Sequence, residues 1–375
     1  MKTKFINILL AISCCGLIFS CEDDREVKAT YPIESVPIDS ISSKIWFPDL
    51  MAVNTRSIIG LSSKLCLVGP DDYKLTYYID EELGKELGYA GTIGEGPEDM
   101  QPFPIYAGIS ESRDTIYLYD FNTKKMNAYW LSETAEGKPI MKMVSSTKLP
   151  NPVKGKYISS YMGICRLNNG FYVGLNFLSL TDYFLTLLDK DLNVVKEFGE
   201  QPLKGLRDNG KIKSYQSFDG TLCAHGNSVY YASNKMGYMV RYDINETGEV
   251  SHKWTHRYTD IHYRIDQSQK IKYKNDNLYG FSDMTIGKDY IFATYSGIPI
   301  RKMFEEQNTY AIGARTLVVF NHEGEPLGRF KLRSCSFCVG LSDDEEYIYV
   351  MNIDPEVQIE RMKVSDIEDK IKNNI

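Results

Sequence analysis

One pattern recurs six times along the chain and limits what it can fold into. Each copy is a short run rich in Tyr, Phe, Ile, Val and Leu that follows a turn. The copies are KLCLVG (64–69), TIYLYD (115–120), GFYVGLN (170–176), SVYYAS (228–233), YIFATY (290–295) and YIYVMN (347–352). β-Branched and aromatic residues in runs of this length favour strands. The equivalent apolar positions Leu65, Ile116, Phe171, Val229, Ile291 and Ile348 are spaced by 51, 55, 58, 62 and 57 residues. Such near-regular recurrence marks a repeat architecture.

What flanks each copy is also shared. YYIDEELGKELGYAG, LLDKDLNVVKEFG, RYDINETGEVSHKW and VVFNHEGEPLGRFKL each read as a strand, a turn of Asp, Asn or Gly, and a second strand. NAYWLSETAEGKPIMKMV is a looser version. Ahead of each copy lies a strand with small and polar residues: NTRSIIGL, IYAGISE, YMGICRL, SFDGTLCAH, YGFSDMTIG and SFCVGLSD. Each unit therefore reads as four strands, which predicts an all-β fold, a six-bladed β-propeller with four-stranded blades over residues 34–364. Small residues suit inner strands, where blades converge. The last unit is one strand short, and ESVPIDS (34–40) is expected to supply it, so that an N-terminal strand closes the ring. Ser365 and Glu368 form a capping box that predicts a short helix over 365–375.

The first twenty residues stand apart. Lys2 and Lys4 precede ILLAISCCGLIFS, an apolar run too short to span a bilayer comfortably, as in a signal peptide over 1–20. Leu17, Ile18 and Ser20 before Cys21 resemble a bacterial lipobox, which implies lipid on Cys21 and a membrane as partner. EDDRE follows directly and resembles the surface-export signal of Bacteroidetes lipoproteins; it also reads as the start of a solvated linker. Residues 21–33 are expected to be a tether, having no apolar periodicity. The full chain carries a net charge of −7, and −9 without residues 1–20, an acidity that argues against nucleic-acid partners.

GTIGEGPEDMQPF (91–103) has the glycines of a phosphate loop but lacks its Lys and Ser/Thr, and Glu98 after Gly96-Pro97 repels phosphate. Neither the dinucleotide fingerprint nor the spacing of a calcium loop is present. Its place between two repeats makes it a connector. From here, G-x-G-P-E-x-x-x-P followed by IYAGISESRDTIYLYDFNTKKMNAYWL resembles an NHL-type repeat, with Ile116, Tyr117, Asp120 and Asn122 on the matching positions. Together with the lipobox, the chain is similar to the NHL-like or TolB-like six-bladed propeller lipoproteins of Bacteroides. That resemblance implies a cell-envelope protein, on the outer membrane, facing the periplasm or the exterior.

Candidate chemistry is sparse. Cys335 and Cys338 have zinc-like spacing, but RSCSFCVGL reads as a strand, so buried strand cysteines are expected. His252 and His256 read as exposed outer-strand residues. No nucleophile elbow occurs. Asp219, His225, Asp283 and Ser336 lie in or beside inner strands and are the candidates for groups facing a central channel; the alternative is that they satisfy backbone amides at strand ends. The expected function is a membrane-anchored binding or scaffolding module for a protein or glycan ligand, without cofactor. The alternative is a calcium-dependent hydrolase resembling the lactonase-type propellers, with Asp219 and Asp283 near the ion.

Overall fold

The computed structural model describes residues 24–47, 54–149, 161–176, 183–200, 220–265, 271–306, 313–353 and 356–373. Three strands come first: β1 (Asp24–Val27), β2 (Ile38–Asp39) and β3 (Ser43–Phe47). Antiparallel meanders follow, each centred on one of the recurring apolar runs. The first sheet is β4 (Ser57–Leu61), β5 (Lys64–Val68), β6 (Lys74–Asp80) and β7 (Lys85–Thr92). The second is β8 (Pro104–Ile109), β9 (Thr115–Asp120), β10 (Lys125–Glu133) and β11 (Pro139–Lys148). The third is β12 (Tyr161–Arg166), β13 (Tyr172–Asn176), β14 (Tyr183–Leu188) and β15 (Val194–Glu200). The fourth is β16 (Gly220–His225), β17 (Ser228–Ser233), β18 (Tyr238–Ile244) and β19 (Val250–Arg257).

A hairpin of β20 (Ile261–Ile265) and β21 (Ile271–Tyr273) then pairs with β1 in a small separate sheet. The last sheet is composite: β22 (Phe281–Ile286), β23 (Ile291–Tyr295), β24 (Ala314–Phe320), β25 (Pro326–Leu341), β26 (Tyr347–Asn352), β27 (Gln358–Lys363) and, at the far edge, β3. β25 serves both halves. Its first part pairs with β24, from Phe320↔Pro326 to Thr316↔Lys331. Its second part pairs with β26, from Ser336↔Asn352 to Leu341↔Ile348. Two helices complete the chain, α1 (Arg301–Glu305) and α2 (Val364–Asn373). Among the described residues, no helix is long and apolar enough to cross a membrane.

The core lies between sheets. Leu75 and Val68 of the first sheet pack with Ile116 and Leu118 of the second, and Tyr119 of the second with Ile164 and Tyr172 of the third. Val173 and Leu185 meet Val229 and Val240, Tyr230 and Met239 meet Phe281 and Ala293, and Leu65 and Tyr77 meet Tyr349 and Met351. Each Val, Leu, Ile, Met or Phe side chain among these, fully buried, contributes about 1.5–3 kcal/mol. The second strands are heavily covered; every residue of β13 and β23 is buried.

The amino-terminal segment departs from its sequence reading. Residues 24–33 are not a tether: β1 pairs with β20, from Asp24↔Arg264 to Val27↔Ile261. Thr30 N–H then donates to the Arg257 carbonyl (2.8 Å), and Ile33 is fully buried. ESVPIDS does not complete the last sheet. Ile33–Ser35 form a 3-10 turn, and Ile38 and Asp39 pair in parallel with Arg329 and Phe330 of β25. Glu34 forms an ion pair with buried Arg329 (3.0 Å) and accepts from the Tyr295 hydroxyl (2.9 Å). The strand on β27 is SKIWF instead, from Ile359↔Phe47 to Met362↔Ser43. SKIWF has what ESVPIDS lacks, no proline and a large aromatic to bury: Trp46 lies 5.1 Å from the Tyr349 ring. The C-terminal helix begins at Val364 and buries Ile367 and Ile371, four apart and therefore on one face.

Small residues do allow the inner strands to converge. A Cβ on Gly340 would come within 2.5 Å of the Ile58 carbonyl oxygen, and one on Gly60 within 2.6 Å of the Leu341 carbonyl oxygen. Backbone cannot yield there as a flexible side chain would. Gly340→Ala and Gly60→Ala are each expected to destabilise the fold by about 1–3 kcal/mol, read as a lowered denaturant midpoint.

Candidate functional site

The first strands of the meanders surround a central cavity of about 550 Å³. Its wall is made by residues of β4, β8, β12, β16, β22 and the second half of β25, with the hairpins that follow them. β8, β12, β16 and β22 are less covered than the strands beside them, because the cavity leaves their inward side open. Four of the wall strands share an irregularity near their start. The pairing slips between Tyr106 and Gly108, Tyr161 and Gly163, Phe281 and Asp283, and Ser336 and Cys338. A bulge at this point re-aims the residue that follows it. Glycine follows in β8 and β12, cysteine in β25, and in β22 the residue is Asp283.

Asp283 is thereby held in the cavity wall. One carboxyl oxygen accepts from the Thr221 hydroxyl at 3.1 Å, the other from the Val339 N–H at 2.9 Å. Three strands meet at this one side chain. Burial pushes its pKa up to about 7, against the hydrogen bonds from Val339, Met284 and Thr221 that favour the anion. Cys223, whose Sγ donates to the Met284 carbonyl, lines the same wall, and burial pushes its thiol up to about 12. Burial raises the Cys165 thiol too, so neither is a ready nucleophile.

The two ends of the cavity differ. Where the inner strands finish, Arg113 forms an ion pair with Asp343 and donates to the Gly60 carbonyl at 2.6 Å. Arg166 stacks on the Tyr117 ring at 4.7 Å. His225 stands at this end, its pKa lowered by burial and then by the neighbouring His322. Where the inner strands begin, Arg56 lies 4.5 Å over the ring of Phe103. Phe103 has φ +74 and is 56% exposed, although it precedes Pro104 and carries a bulky side chain. Non-glycine residues rarely take that conformation, and it marks a strained loop end.

Phe103 ends the stretch GTIGEGPEDMQPF, which joins β7 to β8 as a connector should. Asp99 organises it, accepting from the Gly96 N–H (2.8 Å) and from the Thr92 hydroxyl. A Cβ on Gly94 or Gly96 would meet the Asp99 carboxylate at 2.6 or 2.7 Å. These two glycines are there for close approach rather than for their turning.

Of the residues singled out from sequence, Asp283 and His225 line the cavity. Ser336 does not: it is fully buried and its hydroxyl donates to the Cys338 carbonyl at 3.2 Å. Asp219 and Cys21 lie outside the described residues. Cys335 and Cys338 are buried strand residues, as expected. His252 and His256 do not share a ligand position; His252 bonds Thr255 and His256 the Glu323 carbonyl. Thr221, Arg113, Arg56 and Phe103 were not singled out. The bulge motif of an aromatic, any residue and then a small or polar one, as in Tyr106-Ala107-Gly108 and Phe281-Ser282-Asp283, is a sequence signal that would have raised Asp283 above its neighbours.

Among the described residues, one group has a geometry able to hold a metal: Glu26, Asp260 and His262, near the β1–β20 pair and away from the cavity. The Lys28 ammonium already bridges Glu26 and Asp260, at 2.6 and 2.9 Å.

Meanders packed face to face around a cavity define a β-propeller. No protein-family model matches the chain. No curated protein matches it either. Solved structures do. A protein of Bacteroides fragilis described as exported aligns with TM-score 0.52 at 10% identity, over 92% of this chain and 90% of that one. BamB from Moraxella catarrhalis aligns with TM-score 0.38 at 12% identity, over 82% and 84%. A protein of Lactobacillus plantarum aligns with TM-score 0.43 at 11% identity, over 82% and 80%. The first of these likenesses supports the fold.

The raised pKa of Asp283 has a consequence for stability. Its ordinary value is 3.8, and in the folded protein it lies at about 7. The native state therefore holds this proton more tightly than the unfolded chain. The resulting stabilisation is complete below about pH 4 and is lost as pH rises through 7, by at most about 1.4 kcal/mol per pH unit. Asp283→Asn is expected to flatten this part of the profile, measured by denaturant titration at closely spaced pH.

Proposed function

We propose that this protein is an extracytoplasmic, lipid-anchored β-propeller of six blades that binds a ligand in its central cavity. In this reading the composite sheet counts as two blades, sharing β25, and β3 closes the ring as the outermost strand of the last blade. Cys21 carries the anchor, since the residues before it match a lipobox and the run ahead of it is too short to span a bilayer. The exported neighbour from Bacteroides fragilis is in keeping with a place outside the cytoplasm.

The observation that carries the binding role is the convergence of Thr221, Asp283 and Val339 from three strands on one point of a cavity of about 550 Å³. A concave cavity with placed polar groups is the usual form of a ligand site, and here more of the wall is polar than apolar. The size suits a small molecule or the end of a peptide or glycan chain. Tyr106 and Met284 supply apolar wall, and Arg113 and His225 supply polar groups at one entrance.

The calcium-dependent hydrolase is the weaker reading. Calcium takes six to eight oxygen ligands. Among the described residues, the middle of the wall offers the carboxylate of Asp283, both oxygens of which already accept hydrogen bonds, beside the protonated thiols of Cys165 and Cys223. That donor set does not fit the ion, and no catalytic step is derived through it.

Two measurements test these statements. Cys21→Ala is expected to move the protein from the membrane fraction to the soluble one; a protein that stays with the membrane refutes the anchor. In thermal-shift screens of peptides and oligosaccharides, a hit that binds in the cavity is expected to bind Asp283→Asn at least about tenfold more weakly, because an amide has one acceptor oxygen for the Thr221 and Val339 donors and so disturbs the wall. Calcium is expected to leave the melting temperature unchanged, and a calcium-dependent rise would favour the hydrolase.

A further inference from the structure

The amino-terminal arm fixes how the molecule sits on the membrane. This inference rests on lipidation of Cys21. Two residues, and so three Cα–Cα steps, separate Cys21 from Asp24, the first residue of β1. Fully extended, that span covers no more than about 11 Å. From Asp24 onward the chain is bound to the body. β1 pairs with β20 along its length, Ala29 N–H donates to Asp260 at 2.8 Å, and Ile33 is sealed in the core. The anchor therefore has almost no free tether, and the β1–β20–β21 sheet must lie beside the headgroups.

Topology says which end of the propeller this is. In a four-stranded meander the last strand ends at the end where the first began. β19 thus finishes at the end where β16 starts, and the β20–β21 hairpin lies between β19 and β22. The hairpin occupies the end at which the inner strands begin, the end of Arg56 and Phe103. The entrance with Arg113, Asn168 and His225 lies at the other end, about 20 Å away along a six-residue strand.

We propose that the strand-start end of the propeller, led by the β1–β20–β21 sheet, rests against a phospholipid surface, and that the Arg113–His225 entrance opens away from it. Ligand then reaches the cavity from the aqueous side.

The test uses lipidated full-length protein in vesicles of phosphatidylethanolamine and phosphatidylglycerol. Asn275→Cys, just past β21, and Asn168→Cys, at the far entrance, each add an exposed thiol; Cys66, Cys165, Cys335 and Cys338 are buried and Cys223 is partly covered. A fluorophore at 275 is expected to be quenched several-fold more than one at 168 by lipids carrying a headgroup nitroxide. Equal quenching, or stronger quenching at 168, overturns the orientation while leaving the anchor intact. An amino-terminal peptide whose mass shows no lipid, with protein that does not partition into vesicles, overturns both. Hydrogen exchange on the unsubstituted protein gives a second reading. Vesicles should protect residues 24–28 and 271–275, and protection confined to 110–113 and 342–346 would reverse the proposal.

Discussion

The register of β3 on β27, from Ile359↔Phe47 to Met362↔Ser43, ties the two ends of the chain into one sheet. Without β3, β27 would present a row of unpaired N–H and C=O groups, and the sheet an open edge. The pairing also fixes the path of everything before it. To reach β27, the amino-terminal segment must cross from β20, past the Arg329 region of β25, and each crossing is held. The parallel pair at Ile38 and Asp39, the Glu34–Arg329 ion pair and the burial of Ile33 are stations on that path. Arg329 is 7% exposed, so removal of Glu34 would leave a buried cation short of its partner.

The repeat was legible because it is written in local chemistry. KLCLV, TIYLYD and YIYVMN carry the β-branched and aromatic residues that favour strands, and Asp80, Asp189 and Asn321 start turns through bonds to their own neighbours. The first sequence reading failed where the partner is far away in the chain. ESVPIDS and SKIWF are neighbours of similar length, and what separates them is a Trp pocket built by Tyr349 and Arg361, more than 300 residues further on. The acidic run at 22–26 reads as solvated linker for the same reason. Nothing local says that Glu26 will lie 2.8 Å from His262 Nε2.

The cavity was half legible. Inner strands were identified by their small residues, and so Asp283 and His225 fell on them. Which side chain turns inward is decided by the bulges, and a bulge is a property of two strands at once. Asp283 stands in the slot that Gly108 and Gly163 fill in other strands, where its carboxyl has room to reach Thr221 and the Val339 backbone. Ser336 lies two residues before Cys338, on the near side of the slip, and its hydroxyl turns back to its own strand.

The described groups of the wall suit the proposed binding role. Nucleophilic catalysis needs an ionisable group near neutrality with a base beside it. Burial instead keeps the Cys165, Cys223 and Cys338 thiols protonated. Asp283 does titrate near neutrality, but its oxygens are occupied by donors from two other strands, an arrangement that resists the movement a proton shuttle requires. Arg113 is similarly committed, to Asp343 and the Gly60 carbonyl. Groups fixed in this way lose little freedom when a ligand arrives. For the proposed binding role, such preorganisation strengthens affinity and specificity.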